Sequence, residues 1–195
     1  MTPLLVGLLV GGKATRFGGI AKGMLSAPDT GEALATRLAR LCREAHPLAE
    51  VVLVGRADAY LSLGFDSLED DPAAAGPLGG LSTLLHEAER RGSLALAIAA
   101  DLPYVTTDMV ARIGLYSASA AAVAPRPSGT WQPLFARYEP GRCFPALTAA
   151  IASGRFAARA ILEGLGDDAV VLPLTPAEEA LLRDWDCPAD VTRGE

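Results

Sequence analysis

The sequence predicts a three-layer α/β fold, doubly wound, with a mostly parallel central sheet. Three observations predict it. Short apolar runs at residues 4–10, 51–55 and 93–100 carry no charge, as strands buried on both faces do. Each run breaks at its carboxyl end into glycine or a carboxylate. Amphipathic helical stretches lie between successive runs, the spacing of β–α–β units with right-handed crossovers.

The elements follow in order. Residues 4–10 form the first strand, and residues 11–22 form a loop with Gly11, Gly12, Gly18 and Gly19 beside Lys13, Arg16 and Lys22. Asp29 and Thr30 can cap a helix over residues 33–42. In it Leu34, Leu38 and Leu41 make the apolar line, with Arg37, Arg40 and Arg43 off it. Residues 51–55 are the second strand. A short helix at 60–63 and a short strand at 65–68 lead to Glu69-Asp70-Asp71, then to a glycine- and proline-rich turn over residues 72–81. Leu81, Leu84, Leu85 and Ala88 mark the next helix, with Glu87, Glu89, Arg90 and Arg91 exposed. Residues 93–100 are the most strand-like run and end at Asp101-Leu102-Pro103. Thr106, Thr107 or Asp108 opens another helix. Strands at 120–124 and 131–138, helices at 145–151 and 156–163, a strand at 169–172 and a helix at 176–182 complete the chain. No repeat or linker divides the 195 residues, so one domain is expected.

Composition narrows the classes of function. The net charge of −6, with no basic stripe beyond the first loop, excludes a nucleic-acid binder. Half of the residues are apolar and 6% are aromatic, so the core should be aliphatic. The three cysteines, Cys42, Cys143 and Cys187, form no CxxC pair, which argues against disulfides and a zinc site and for the cytoplasm. The apolar start lacks a basic leader region, and residues 94–100 are too short to cross a bilayer; no membrane partner is expected.

In a doubly wound sheet, ligands sit outside the carboxyl ends of the strands. The basic loop, Asp70 and Asp101 all fall at such ends. Glycines let backbone N–H groups approach an anion, and Arg16 and Lys22 supply charge. The loop matches neither Gly-x-Gly-x-x-Gly nor the Gly-Lys-Ser/Thr phosphate loop. It therefore reads either as another kind of phosphate cradle or as a surface loop with solvated cations. Asp101 likewise has two roles open, a turn or helix cap and a ligand for a hard cation such as Mg2+. Opposite Arg16 and Lys22 the metal role takes precedence. A metal, cations and a glycine cradle suit transfer at phosphorus. An ionised phosphate oxygen can attack unaided, so neither a nucleophilic side chain nor a strong base is needed. His46 and His86 then read as structural or surface residues, the cysteines as packing residues, and Arg155 and Arg159 as a solvated helix face.

The run Leu9-Val10-Gly11-Gly12-Lys13-Ala14-Thr15-Arg16-Phe17-Gly18-Gly19-Ile20-Ala21-Lys22 resembles the signature of sugar- and cofactor-nucleotidyltransferases. With Gly76-Pro77-Leu78-Gly79-Gly80, Asp101-Leu102-Pro103 and Gln132-Pro133-Leu134-Phe135-Ala136-Arg137-Tyr138, the chain is similar to the MobA-like molybdenum cofactor guanylyltransferases. That resemblance implies a three-layer, Rossmann-like nucleotidyltransferase fold, with the nucleotide in the N-terminal half and the acceptor in the C-terminal half. It implies Mg2+ as cofactor, GTP and the molybdopterin cofactor as substrates, and other molybdenum cofactor biosynthesis proteins as partners. On matching positions it implies that Leu9, Val10, Gly11 and Gly12 line the nucleotide, and that Arg16 and Lys22 meet its phosphates. Gly79 and Gly80 would admit base and ribose, Asp70 would contact the nucleotide with Asp71 as neighbour, and Asp101 would hold the metal. Arg16, Lys22 and Asp101 form the catalytic set.

The chain departs from the family late, where Asp184-Trp185-Asp186-Cys187-Pro188 stands in place of an Asn-x-Asn-Thr-Pro segment. Carboxylates accept but do not donate hydrogen bonds. Asp184 and Asp186 could therefore repel an anionic acceptor or supply a second metal site. The resemblance leaves open cytidylyl or other nucleotidyl transfer to a related phosphorylated small molecule, and a non-catalytic nucleotide-binding homologue.

Overall fold

The computed structural model describes residues 2–11, 18–69 and 76–192. Among these, β1 (Leu4–Leu9), β2 (Glu50–Val54), β3 (Ser67–Leu68), β4 (Leu94–Ala99), β5 (Ala122–Ala124), β6 (Phe135–Tyr138) and β7 (Ala169–Val171) form a sheet of seven strands. Their order is β3-β2-β1-β4-β6-β5-β7. All pairings are parallel except those of β6, which runs antiparallel to both β4 and β5. The helices are α1 (Leu34–Ala45), α2 (Pro77–Arg90), α3 (Thr107–Leu115), α4 (Pro140–Ala152), α5 (Arg159–Leu165), α6 (Pro176–Leu181) and α7 (Pro188–Thr192).

Alternation along each strand divides the apolar residues between two cores. Leu5 and Leu9 of β1 join Leu78, Leu81, Leu84 and Leu85 of α2 and residues of α4 and α5 on one face. Leu4, Val6 and Leu8 meet Ala35, Leu38 and Ala39 of α1 and Met109, Val110 and Ile113 of α3 on the other. Each fully buried leucine contributes about 1.5–3 kcal/mol relative to leaving it in water, so both faces of β1 are held by the helices that flank it.

Several local expectations are corrected. The helix expected from Leu81 starts at Pro77, because Pro77 occupies N1 and Gly76 turns the chain with φ 63° and ψ −152°. Neither Asp29 nor Thr30 caps α1; Ala33 does, without a side-chain bond. Asp29 instead receives the Arg37 guanidinium, whose Nη1 also donates to the Val105 carbonyl at 3.0 Å. Arg37 is consequently buried rather than on the solvent face. The strand expected over residues 131–138 is confined to β6, since residues 131–132 are irregular and the chain turns at residues 133–134. The helix expected from Pro145 starts at Pro140, capped by the Glu139 carboxylate accepting from the Arg142 N–H. Helix α7 was not expected at all. Arg137 is buried on β6 and its Nη2 donates to the carbonyls of Tyr116 and Ser117, closing the end of α3.

Candidate active site

The register of three parallel strands builds the site. Leu9 of β1 stands level with Val54 of β2 and Ala99 of β4, and all three form the floor of a cavity of about 360 Å³. The chain leaves each strand there, so Gly11 and Asp101 continue into the cavity wall. Helix α2 supplies Gly76, Pro77 and Gly80. Its amino terminus carries the positive end of the helix dipole and N–H groups without helical partners, a setting that favours phosphate. Because β6 is antiparallel to β4, the segment entering β6 arrives at the same edge. The Ala99 N–H donates to the Leu134 carbonyl at 2.7 Å, and Gln132 and Leu134 complete that wall. Asp184 closes the cavity from the C-terminal segment.

Lys22 begins a single helical turn, Lys22–Met24. The turn is pinned by the Gly23 N–H donating to the Tyr60 hydroxyl at 3.2 Å, and a Cβ on Gly23 would stand 2.9 Å from the Tyr60 ring. Glycine is thus required for this close approach. So held, the Lys22 ammonium donates to Asp101 Oδ2 at 2.9 Å and to Asp186 Oδ1 at 3.0 Å. Lys22 and Asp101, 79 positions apart in the chain, meet as a half-buried pair. Burial would lower the Lys22 pKa, but the hydrogen bonds and charges of Asp101 and Asp186 outweigh it and raise the value. Asp184, still open to solvent on the cavity wall, is pushed up by partial burial and then by the charges of Asp186 and Asp101.

Of the other predicted residues, Leu9, Gly11 and Gly80 line the cavity. Val10 packs instead against the core beneath α1 and α3, its N–H donating to the Val54 carbonyl at 3.0 Å. Gly79 is buried in the first turn of α2 and is not part of the cavity wall. Gly12, Arg16 and Asp70, together with Lys13 and Asp71, lie outside the described residues. Val54, Gly76, Pro77, Ala99, Gln132 and Leu134 line the cavity without having been assigned a role. Gln132 and Gly76 lie in stretches that the sequence singles out; Val54 and Ala99 become legible only through strand register.

Among the described residues, no cluster of three or more His, Cys, Asp or Glu side chains forms a self-sufficient metal cage. Asp101 and Asp186 nevertheless crowd one ammonium, with Asp184 close enough for their charges to act on it. That donor set fits a hard divalent cation taking the rest of its shell from phosphate oxygens and water.

The MobA-like NTP transferase domain profile matches residues 6–170. The chain belongs to the MobA-like NTP transferase family. This MobA-like chain is 32% identical over 161 residues to a molybdenum cofactor guanylyltransferase from Pseudomonas putida, covering 79% of each. It is 34% identical over 133 residues to a protein of the same name from Burkholderia orbicola, covering 63% of this chain and spanning 62% of that relative. The fold is shared with molybdopterin-guanine dinucleotide biosynthesis protein A from Archaeoglobus fulgidus. The TM-score is 0.72 at 23% identity, over 98% of this chain and 96% of the other. Among the described residues of the MobA-like chain, no helix is long and apolar enough to cross a membrane.

Proposed function

We propose that this chain is a Mg2+-dependent guanylyltransferase that transfers GMP from GTP to the molybdenum-bearing molybdopterin cofactor and releases pyrophosphate. The observation that carries the proposal is the contact of Lys22 with Asp101 beside a cavity at the carboxyl ends of β1, β2 and β4. Family membership and the names of the relatives support the choice of reaction.

The nucleotide would enter over Leu9 and Gly11, with phosphate towards the amino terminus of α2. Lys22 would exchange its carboxylate partners for phosphate oxygens and follow the charge as it moves to pyrophosphate. Asp101, with Asp186 beside it, would hold Mg2+, which neutralises the triphosphate when bound. The acceptor's ionised phosphate oxygen forms the new bond to the α-phosphorus while the bond to the β-phosphate oxygen breaks. No proton need be removed, which fits a site without a histidine. The apolar floor of Leu9, Val54 and Ala99 keeps water from competing with the acceptor. Other molybdenum cofactor biosynthesis proteins would be the partners that deliver and receive the cofactor.

The test is pyrophosphate release with GTP, CTP, ATP and UTP, each with and without the molybdopterin cofactor. Release with GTP that depends on the acceptor is the expected result. Preference for CTP would overturn the guanylyl assignment. Binding of GTP without release would mark a non-catalytic homologue, the alternative raised by the departure of residues 184–187 from the family pattern.

A further inference from the structure

Trp185 is 1% exposed, although it lies in the irregular segment between α6 and α7 where Arg183, Asp184 and Asp186 are all exposed. Its backbone N–H donates to the Asp101 carbonyl at 3.1 Å. Its indole N–H donates to the Tyr104 hydroxyl at 3.3 Å, and the two rings meet edge to face at 6.3 Å. The indole also packs against Ala27, downstream of Lys22, and Leu34, the first residue of α1. One side chain therefore touches both segments that bring Lys22 and Asp101 together. Its two neighbours in the chain are the carboxylates of the site: Asp184 on the cavity wall and Asp186 at 3.0 Å from the Lys22 ammonium. Downstream, the Asp190 carboxylate receives the N–H groups of Asp186 and Cys187 at 2.9 and 2.8 Å. The backbone on that side is thereby fixed as well.

A buried aromatic in a small satellite core usually contributes area alone. Here the backbone bond to Asp101 makes the difference. If the indole shifts, the chain on either side shifts with it, and two charges leave their places beside Lys22. We propose that Trp185 is a positioning residue. Its indole rivets the acidic segment 184–186 to the turn that follows β4, and so sets where Asp184 and Asp186 stand relative to Lys22 and the cavity. The nucleotide readout of this proposal rests on the function proposed above; its exchange readout does not.

Tyr104→Phe removes only the hydroxyl that accepts from the indole, and Trp185→Phe keeps an aromatic ring while losing the donor. Both preserve most of the packing, so the folded chain can be compared with wild type. Hydrogen–deuterium exchange of residues 183–187, measured without nucleotide, should accelerate about three- to tenfold in both variants, the range set by one neutral hydrogen bond. The Mg2+ concentration for half-maximal GTP binding should rise by a similar factor, while GTP binding in EDTA stays at its wild-type level. A residue that contributed packing alone would weaken both kinds of binding together or neither. Wild-type exchange rates in both folded variants overturn the proposal whatever the nucleotide result. So does an unchanged Mg2+ dependence where the wild-type chain binds GTP. If the wild-type chain binds no nucleotide, the guanylyltransferase reading fails, and the exchange rates still decide the role of Trp185.

Discussion

The Lys22 ammonium is shared between two carboxylates that belong to distant parts of the chain. The bond to Asp101 is half-buried and worth more than a surface ion pair, because solvent competes less for the charges, whereas the bond to the exposed Asp186 is screened. Removing either partner has a distinct consequence. Asp101→Ala should abolish transfer while GTP still binds weakly, since Lys22 and the helix terminus remain. Lys22→Ala should lower both GTP affinity and turnover by about ten- to a hundredfold, the span of one charged hydrogen bond. Calorimetric GTP titration and steady-state pyrophosphate release measure the two effects, and near-normal turnover in either variant would remove that residue from the reaction. Arg37 shows what a single residue hides in a sequence. Its spacing put it on the solvent face of α1, but Asp29 and the Val105 carbonyl give a buried guanidinium the partners it needs. Those partners are visible only after folding.

Helix α2 carries the same lesson one scale up. Glycines and a proline over residues 72–81 read as a turn, yet Pro77 has the dihedral that N1 requires and Gly79 and Gly80 are buried within the helix. Gly76 has φ 63° and ψ −152°, a region in which side chains with a Cβ are strained, although among the described residues the nearest atom to a built Cβ is the Phe156 carbonyl oxygen at 3.9 Å. Gly76→Ala should therefore act through backbone strain and cost about 1–3 kcal/mol. A lower urea midpoint with an unchanged m-value checks this, and wild-type stability would count against it. The strand β6 is the reverse case. Its apolar character was legible, but its direction and short length were not, because orientation depends on which neighbour it pairs with. Pairing with β4 and β5 made it antiparallel. That orientation brings Gln132 and Leu134 into the cavity.

Over the whole molecule, the sheet separates two aliphatic cores, and each hides one cysteine. Cys143 sits on the core-facing side of α4 and Cys42 on that of α1, with burial pushing both thiols up to about 12. Cys187 is partly exposed between the site and α7. The native chain should thus show one thiol reactive towards a disulfide reagent at neutral pH and three in denaturant, because the thiolate is the reacting form. Two fast-reacting thiols in the native state would contradict this packing.

Strand–helix alternation, the buried character of β1, β2 and β4, and the placing of Asp101 at a strand end were all determined by the sequence alone. Local hydrophobic period and chain-breaking residues act over a few positions and need no partner. The Lys22–Asp101 contact, between residues 79 positions apart, could be anticipated for a different reason, since parallel strands send their carboxyl ends to one edge. Three things waited for tertiary structure: the antiparallel entry of β6, the burial of Arg37, and the docking of Trp185 against the Asp101 turn. Each depends on a contact between segments far apart in sequence, and the geometry of such a contact is set by how the whole sheet closes its two cores.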